Sequence, residues 1–309
     1  PNSHTVGAAL KACRFVRSLH ETRKLHGYVV KTDTCRGVPE GNALLEAYAA
    51  SGAVSDAVLL LETMENRDCT SYTCLATRLN GIGRHVEAVK VLKGMVNYGL
   101  EMDDFALSSL VSSLTKAGSP DLGGLHGLSV RTGLKSGNSV VNSLVRYYGK
   151  LGLLDEAKMV LKEADDPDVV GWNSLILGLT ENGLVSSGLA VFDEMRLVGV
   201  RPDSLTFSLV IGACVRDNLV DLGLEYFGLM SKCSVEPALE HYVGVIHLLG
   251  KANRLEEALE VLETMPFEAT PAVYRTMMNA CRLHKNFLMF NEMAHRYRQI
   301  QTTGRFVLD

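Results

Sequence analysis

The 309 residues are 47% hydrophobic and 21% charged, with only 8 prolines, so they hold ample core material and exclude a disordered chain. No apolar run reaches the roughly 18 residues that a membrane-spanning helix needs. The net charge of −4 argues against gripping phosphates by bulk electrostatics, though not against reading base edges along a neutral groove.

The chain opens Pro1-Asn2 without a methionine, so any targeting peptide is expected upstream. Cysteines at Cys13, Cys35, Cys69, Cys74, Cys214, Cys233 and Cys281 form no C-x-x-C pair. They are read as reduced, mostly buried thiols of an intracellular or organellar protein, with no structural zinc site.

Helical periodicity begins early. In 38–68, Ala43, Leu44, Ala47 and Tyr48 form one apolar stripe, and Ala57, Leu60, Leu61 and Met64 the next. Ala50-Ser51-Gly52 separates them, with a glycine where a helix ends. The same turn-then-helix pattern recurs in 83–95, 152–164, 183–195 and 253–265.

Between the two halves the chain copies itself at an offset of 100 residues. Asn42-Ala43-Leu44 matches Asn142-Ser143-Leu144, and Tyr72 matches Trp172. Gly52, Gly83, Gly99 and Asp103 match Gly152, Gly183, Gly199 and Asp203, and His26-Gly27 matches His126-Gly127. Each long unit divides into sub-repeats of about 31 to 35 residues, the period of a helical solenoid. A lone helix pair of that size cannot bury its apolar face, whereas stacked neighbours can. The reading is all-α, a superhelical solenoid of about nine helix-turn-helix repeats with no convincing strand.

Segment 169–203, VVGWNSLILGLTENGLVSSGLAVFDEMRLVGVRPD, resembles a near-consensus pentatricopeptide repeat. Its markers are Trp172-Asn173-Ser174-Leu175, Asn182-Gly183, Phe192-Asp193-Glu194-Met195, Gly199 and Pro202-Asp203. The alternating lengths resemble the plant subclass with long, short and standard repeats. Segments 3–37, 104–137 and 204–238 look long, 38–68, 138–168 and 239–270 short, and 69–103 and 169–203 standard. Residues 271–304, with Ala280-Cys281-Arg282-Leu283-His284, resemble the E-type extension that follows such arrays. Residues 305–309 resemble the start of a further, truncated repeat. The expected domains are thus an array over 1–270, an extension over 271–304 and that fragment. The resemblance also implies a right-handed superhelix.

The resemblance carries residue roles with it. The fifth residue of each repeat is expected to face a base, and the last to help select it. Four pairs match, namely Asn42 with Asp68, Thr73 with Asp103, Asn142 with Asp168, and Asn173 with Asp203. An Asn amide offers both a donor and an acceptor to a uracil edge, and a Thr hydroxyl leaves room for a purine. The implied target is single-stranded RNA read as x-U-G-x-U-U-x-x, with cytosine tolerated at the U positions. In the long repeats Ser108 pairs with Gly137 and Ser208 with Ala238, departures expected to read little. Apolar second-position residues Phe105, Val170 and Leu205 are expected to flank bases.

Arrays with such an extension mostly direct C-to-U editing of organellar transcripts, in mitochondrion or chloroplast. The deaminase would then lie in a further domain or in a partner acting in trans. This chain has no P-C-x-x-C to follow an H-x-E, as such an enzyme requires, so it is expected to be catalytically silent, with no cofactor.

Plainer readings stand beside these. A fifth-position Asn can bond within a helix pair, and Trp172 lies on an apolar stripe. His241 and His247 lack a third metal ligand nearby. Gly81-x-Gly83 marks a turn, and Glu256-Glu257 a solvated face. The competing functions are an RNA factor for splicing, stability or cleavage, and a peptide-binding helical scaffold. The recurring Asn and Asp pairs argue against the scaffold.

Overall fold

A computed structural model describes residues 3–32, 37–118, 127 and 137–303. All regular structure among them is helical. Among the described residues no helix is long and apolar enough to cross a membrane. The chain divides into two compact units, Pro1–Pro167 and Asp168–Asp309.

The first unit contains α1 (Ser3–Val16), α2 (Leu19–Thr32), α3 (Val38–Ala50), α4 (Val54–Thr63), α5 (Cys69–Gly81), α6 (His85–Asn97), α7 (Asp104–Ala117), α8 (Asn138–Leu151) and α9 (Leu154–Glu163). The second helix expected in 104–137, with His126, lies outside the described residues. The first helices α1, α3, α5, α7 and α8 pack in chain order, each against the next. Helices α2, α4 and α6 each touch the first helix that follows them. This layering is the stacked-pair solution to burying a face that no single hairpin can cover. Leu45, Leu75, Leu79, Leu92 and Met95 are fully buried along it. Each such side chain contributes about 1.5–3 kcal/mol relative to exposure.

The second unit contains α10 (Val169–Glu181), α11 (Val185–Leu197), α12 (Ser204–Asp217), α13 (Val220–Lys232), α14 (Leu239–Lys251), α15 (Leu255–Thr264), α16 (Pro271–Leu283) and α17 (Phe287–Thr303). It repeats the plan, with α10 on α12, α12 on α14 and α14 on α16. Phe192 meets Phe207 and Tyr226 edge-on, with ring centroids 5.8 and 5.1 Å apart, a geometry that aromatic quadrupoles favour. Trp172 is 6% exposed and packs in this core. A Cβ on Gly250 of α14 would sit 2.6 Å from the Ala280 Cβ of α16, so glycine permits that close approach.

The turns explain why the period survives. Gly83 and Gly183 both adopt φ 80°, which a side chain resists. At the matching turn before α17 the left-handed place is held by Lys285, at φ 58°.

The described cysteines are free. Burial, then the neighbouring Glu46 carboxylate, pushes the Cys74 thiol up to about 12. Burial, with Asp217 nearby, pushes Cys214 up to about 11. Cys35 lies outside the described residues.

Candidate nucleic-acid interface

The site starts from four aspartates, each the last residue before a first helix. Asp68, Asp103, Asp168 and Asp203 are the N-caps of α5, α7, α10 and α12. Each Oδ1 accepts from a backbone amide three residues on, at 2.8 Å from Ser71, 2.7 Å from Ala106, 3.1 Å from Gly171 and 2.8 Å from Thr206. Such bonds satisfy donors that a helix start leaves orphaned, and each is worth about 1 kcal/mol. Capping is therefore a complete structural reason for an aspartate at these positions, one the sequence reading passed over. The starts at Gly37, Gly137, Ala238 and Thr270 have no side-chain oxygen as cap.

The fifth-position side chains differ. In the second unit Asn173 Nδ2 donates to Asp203 Oδ1 at 3.1 Å, and the Thr206 hydroxyl lies 2.7 Å from Asn173 Oδ1. That hydroxyl also lies 2.8 Å from Asp203 Oδ1 and receives the Asp203 N–H at 3.1 Å. Partial burial works to raise the Asp203 carboxyl, but donation from the Thr206 amide and hydroxyl and from Asn173 outweighs it. The pKa lies below the usual carboxylate value. In the first unit Thr73 turns its hydroxyl back on the carbonyls of Cys69 and Thr70, at 3.0 and 3.1 Å. Asn42 Oδ1 is buried with no hydrogen-bond partner among the described residues. Asn142 is half-buried on α8.

Thr73 and Asn173 are each only 4% exposed, so they offer an edge rather than a whole side chain. Ser108 Oγ bonds Ser139 Oγ at 2.7 Å, and Ser208 Oγ donates to Glu240 Oε1 at 2.8 Å. These two serines join consecutive first helices.

One turn before the fifth residue, the second residue faces solvent. Phe105 is 58%, Val170 45% and Leu205 54% exposed. Pro39, Thr70 and Ser139 are exposed at the same register. Second and fifth residues are i and i+3 on a helix and so share a face.

Two features escaped the sequence reading. Lys150 Nζ donates to the Thr115 carbonyl at 2.7 Å and Lys251 Nζ to the Val215 carbonyl at 2.6 Å, so each closes the C-terminal end of the preceding first helix. Between α7 and α8 lies a cavity of about 340 Å³, lined by Ser112, Lys116, Ser139, Asn142, Ser143 and Arg146 among others. Arg146 and Lys116 form no ion pair among the described residues, unlike Arg23 with Asp56 or Arg254 with Glu257.

His241 is a structural bridge. Its Nδ1 accepts from the Ala238 N–H at 2.9 Å, which leaves Nε2–H to donate to the Ser204 carbonyl at 2.9 Å. Among the described residues no group of three or more His, Cys, Asp or Glu side chains could hold a metal ion.

The comparisons with known proteins fit this geometry. The PPR repeat family matches residues 167–216, and the PPR repeat matches 42–69, 139–165, 205–235 and 240–267. A chloroplastic pentatricopeptide repeat-containing protein of Arabidopsis thaliana is 40% identical over 96% of this chain and 33% of its own length. Another from the same plant is 30% identical over 100% of this chain and 54% of its own. The chain thus spans between about a third and about half of these relatives. The maize pentatricopeptide repeat protein PPR10 superposes with a TM-score of 0.69 at 19% identity, over 92% of this chain and 41% of that one. Helix pairs, turn glycines and sequence matches fall in one register: the chain carries pentatricopeptide repeats.

Proposed function

We propose that the chain binds single-stranded RNA, one base per repeat, as the specificity module of an organellar C-to-U editing factor. The observation that carries RNA readout is the recurrence of an amide or hydroxyl at the fifth position. It lies beside an exposed second residue and ahead of an acidic cap, most completely at Asn173, Asp203 and Thr206. The network leaves Asn173 one N–H and one acceptor lone pair, enough for two bonds to a pyrimidine edge. Thr73 donates to its own helix and keeps an acceptor lone pair, which suits the N–H groups of guanine. Exposed Phe105, Val170 and Leu205 suit packing against base faces, and Arg146 and Lys116 suit a phosphate. The maize protein has been solved in complex with an 18-nucleotide psaJ RNA element, a relation of fold only at 20% identity.

The editing role rests on the resemblance of 204–304 to the closing repeats of such arrays, with a deaminase supplied by a further domain or a partner. Placement in a plastid or mitochondrion is of the same standing.

The test is binding to oligomers carrying x-U-G-x-U-U-x-x and its single-base permutations. Asn42→Thr should move preference at one nucleotide from pyrimidine towards guanine. Equal weakening on every oligomer would reject base readout at that residue.

A further inference from the structure

We infer that Thr206, outside the fifth and last positions, is a positioning residue that sets how Asn173 discriminates between pyrimidines; this rests on the RNA-reading role just proposed. The geometry forces the orientation. Asp203 is held ionised and can only accept, so Asn173 must turn Nδ2 towards it, at 3.1 Å. Asn173 Oδ1 then faces the Thr206 hydroxyl at 2.7 Å, and that hydroxyl donates to it in a bond shared with Asp203 Oδ1 at 2.8 Å. The hydroxyl is itself oriented, because its oxygen receives the Asp203 N–H at 3.1 Å and Thr206 is fully buried. The amide is clamped from both sides and cannot exchange its oxygen and nitrogen.

That order matters to a base. Uracil carries a donor at ring position 3 flanked by carbonyl acceptors, and cytosine an acceptor there beside an amino donor. An amide fixed with its acceptor and donor in set places meets one of these patterns better than the other. An amide free to flip serves both. The first unit shows the looser arrangement. Ser71 occupies the place of Thr206 and its hydroxyl likewise bonds the cap, Asp68 Oδ1, at 3.0 Å, but Asn42 Oδ1 has no partner among the described residues. Ala106 occupies that place after Asp103 and has no hydroxyl to offer.

The experiment compares Thr206→Val, which keeps the shape and removes the hydroxyl, with Thr206→Ser, which keeps it. Each is titrated with RNA oligomers bearing U or C opposite Asn173, and separately U or C opposite Asn42. Wild type should prefer one pyrimidine at Asn173 by about tenfold, the scale of one well-placed hydrogen bond. Thr206→Val should bring that ratio close to one while leaving the ratio at Asn42 unchanged, and Thr206→Ser should retain it. Circular dichroism melts verify that the variants fold. Equal loss on U and C, with the ratio intact, would make Thr206 a structural residue only and overturn the inference. Failure of the wild type to bind any oligomer would overturn the RNA-reading role and this inference with it.

Discussion

The two units repeat one scaffold, yet each places its polar network at a different end of its leading helix. In the first unit the network sits at the C-terminal end of α5, where Asn80 Nδ2 donates to Ser113 Oγ at 2.8 Å and Asn80 Oδ1 meets His85 Nδ1 at 3.0 Å. One hundred residues on, those places hold Thr180, Val185 and Ala213, and the Thr180 hydroxyl turns back on the Leu177 carbonyl of its own helix at 3.1 Å. In the second unit the network sits at the N-terminal end of α10, as Asn173, Asp203 and Thr206. Its counterparts Thr73, Asp103 and Ala106 form no such bridge. The scaffold accepts either filling because each is satisfied, and an unsatisfied version of either would be costly. Of the two, the N-terminal network is the one that lies one turn from the exposed second-position row.

The sharpest way to break this comparison is to remove both caps. Asp203→Ala strips a cap and leaves Asn173 and Thr206 short of partners in a buried place, at an expected cost of about 3 kcal/mol. Asp103→Ala loses the cap and a weak contact with the Cys69 thiol, about 1 kcal/mol. Urea unfolding of the two variants measures the gap, and equal losses would dissolve the distinction. Asn80→Ala should cost about 1.5 kcal/mol in the same assay by unpairing Ser113 and His85, whereas Thr180→Ala should cost well under that.

Acid sharpens the same contrast. The Asp203 pKa is lowered on folding from 3.8, so its contribution is fully present above that value. It is lost as the pH falls through the lower folded value. Asp203→Asn should flatten that part of the stability–pH curve, read from thermal melts between about pH 5 and pH 2. Two smaller changes should stabilise. Lys285→Gly relieves a left-handed backbone and should add about 1 kcal/mol. Ala106→Ser would complete a capping box after Asp103 and add about 0.5 kcal/mol. A melt unchanged by the serine would show that the first unit lacks room for the network the second has.

Much of the fold was legible because its signals are local. Gly83 and Gly183 announced the turns, and the stripe from Ala43 to Tyr48 announced the first-helix layer. The helix expected after Gly118 is the exception, since 119–126 and 128–136 lie outside the described residues. The candidate positions could be named from the sequence, but not the bonds their side chains make. Asp203 followed three residues later by Thr206 is a capping-box spacing visible in the sequence. It was read for its partner Asn173 instead, and both relations hold at once. The Thr206 bond to Asn173 spans 33 residues, and the lysine bonds of Lys150 and Lys251 span 35 and 36, so no local pattern could disclose them. His241 looked like half of a metal pair because the Ser204 carbonyl that its Nε2–H reaches lies 37 residues away.

The raised thiols have a consequence for durability. With Cys74 pushed up to about 12, its sulfur stays protonated at neutral pH, and it is the ionised form that attacks peroxides and disulfides. Cys214, near 11, is almost as inert. Both sulfurs stay protonated at neutral pH, Cys74 as a donor to Glu46 Oε1 and Cys214 as a buried packing atom.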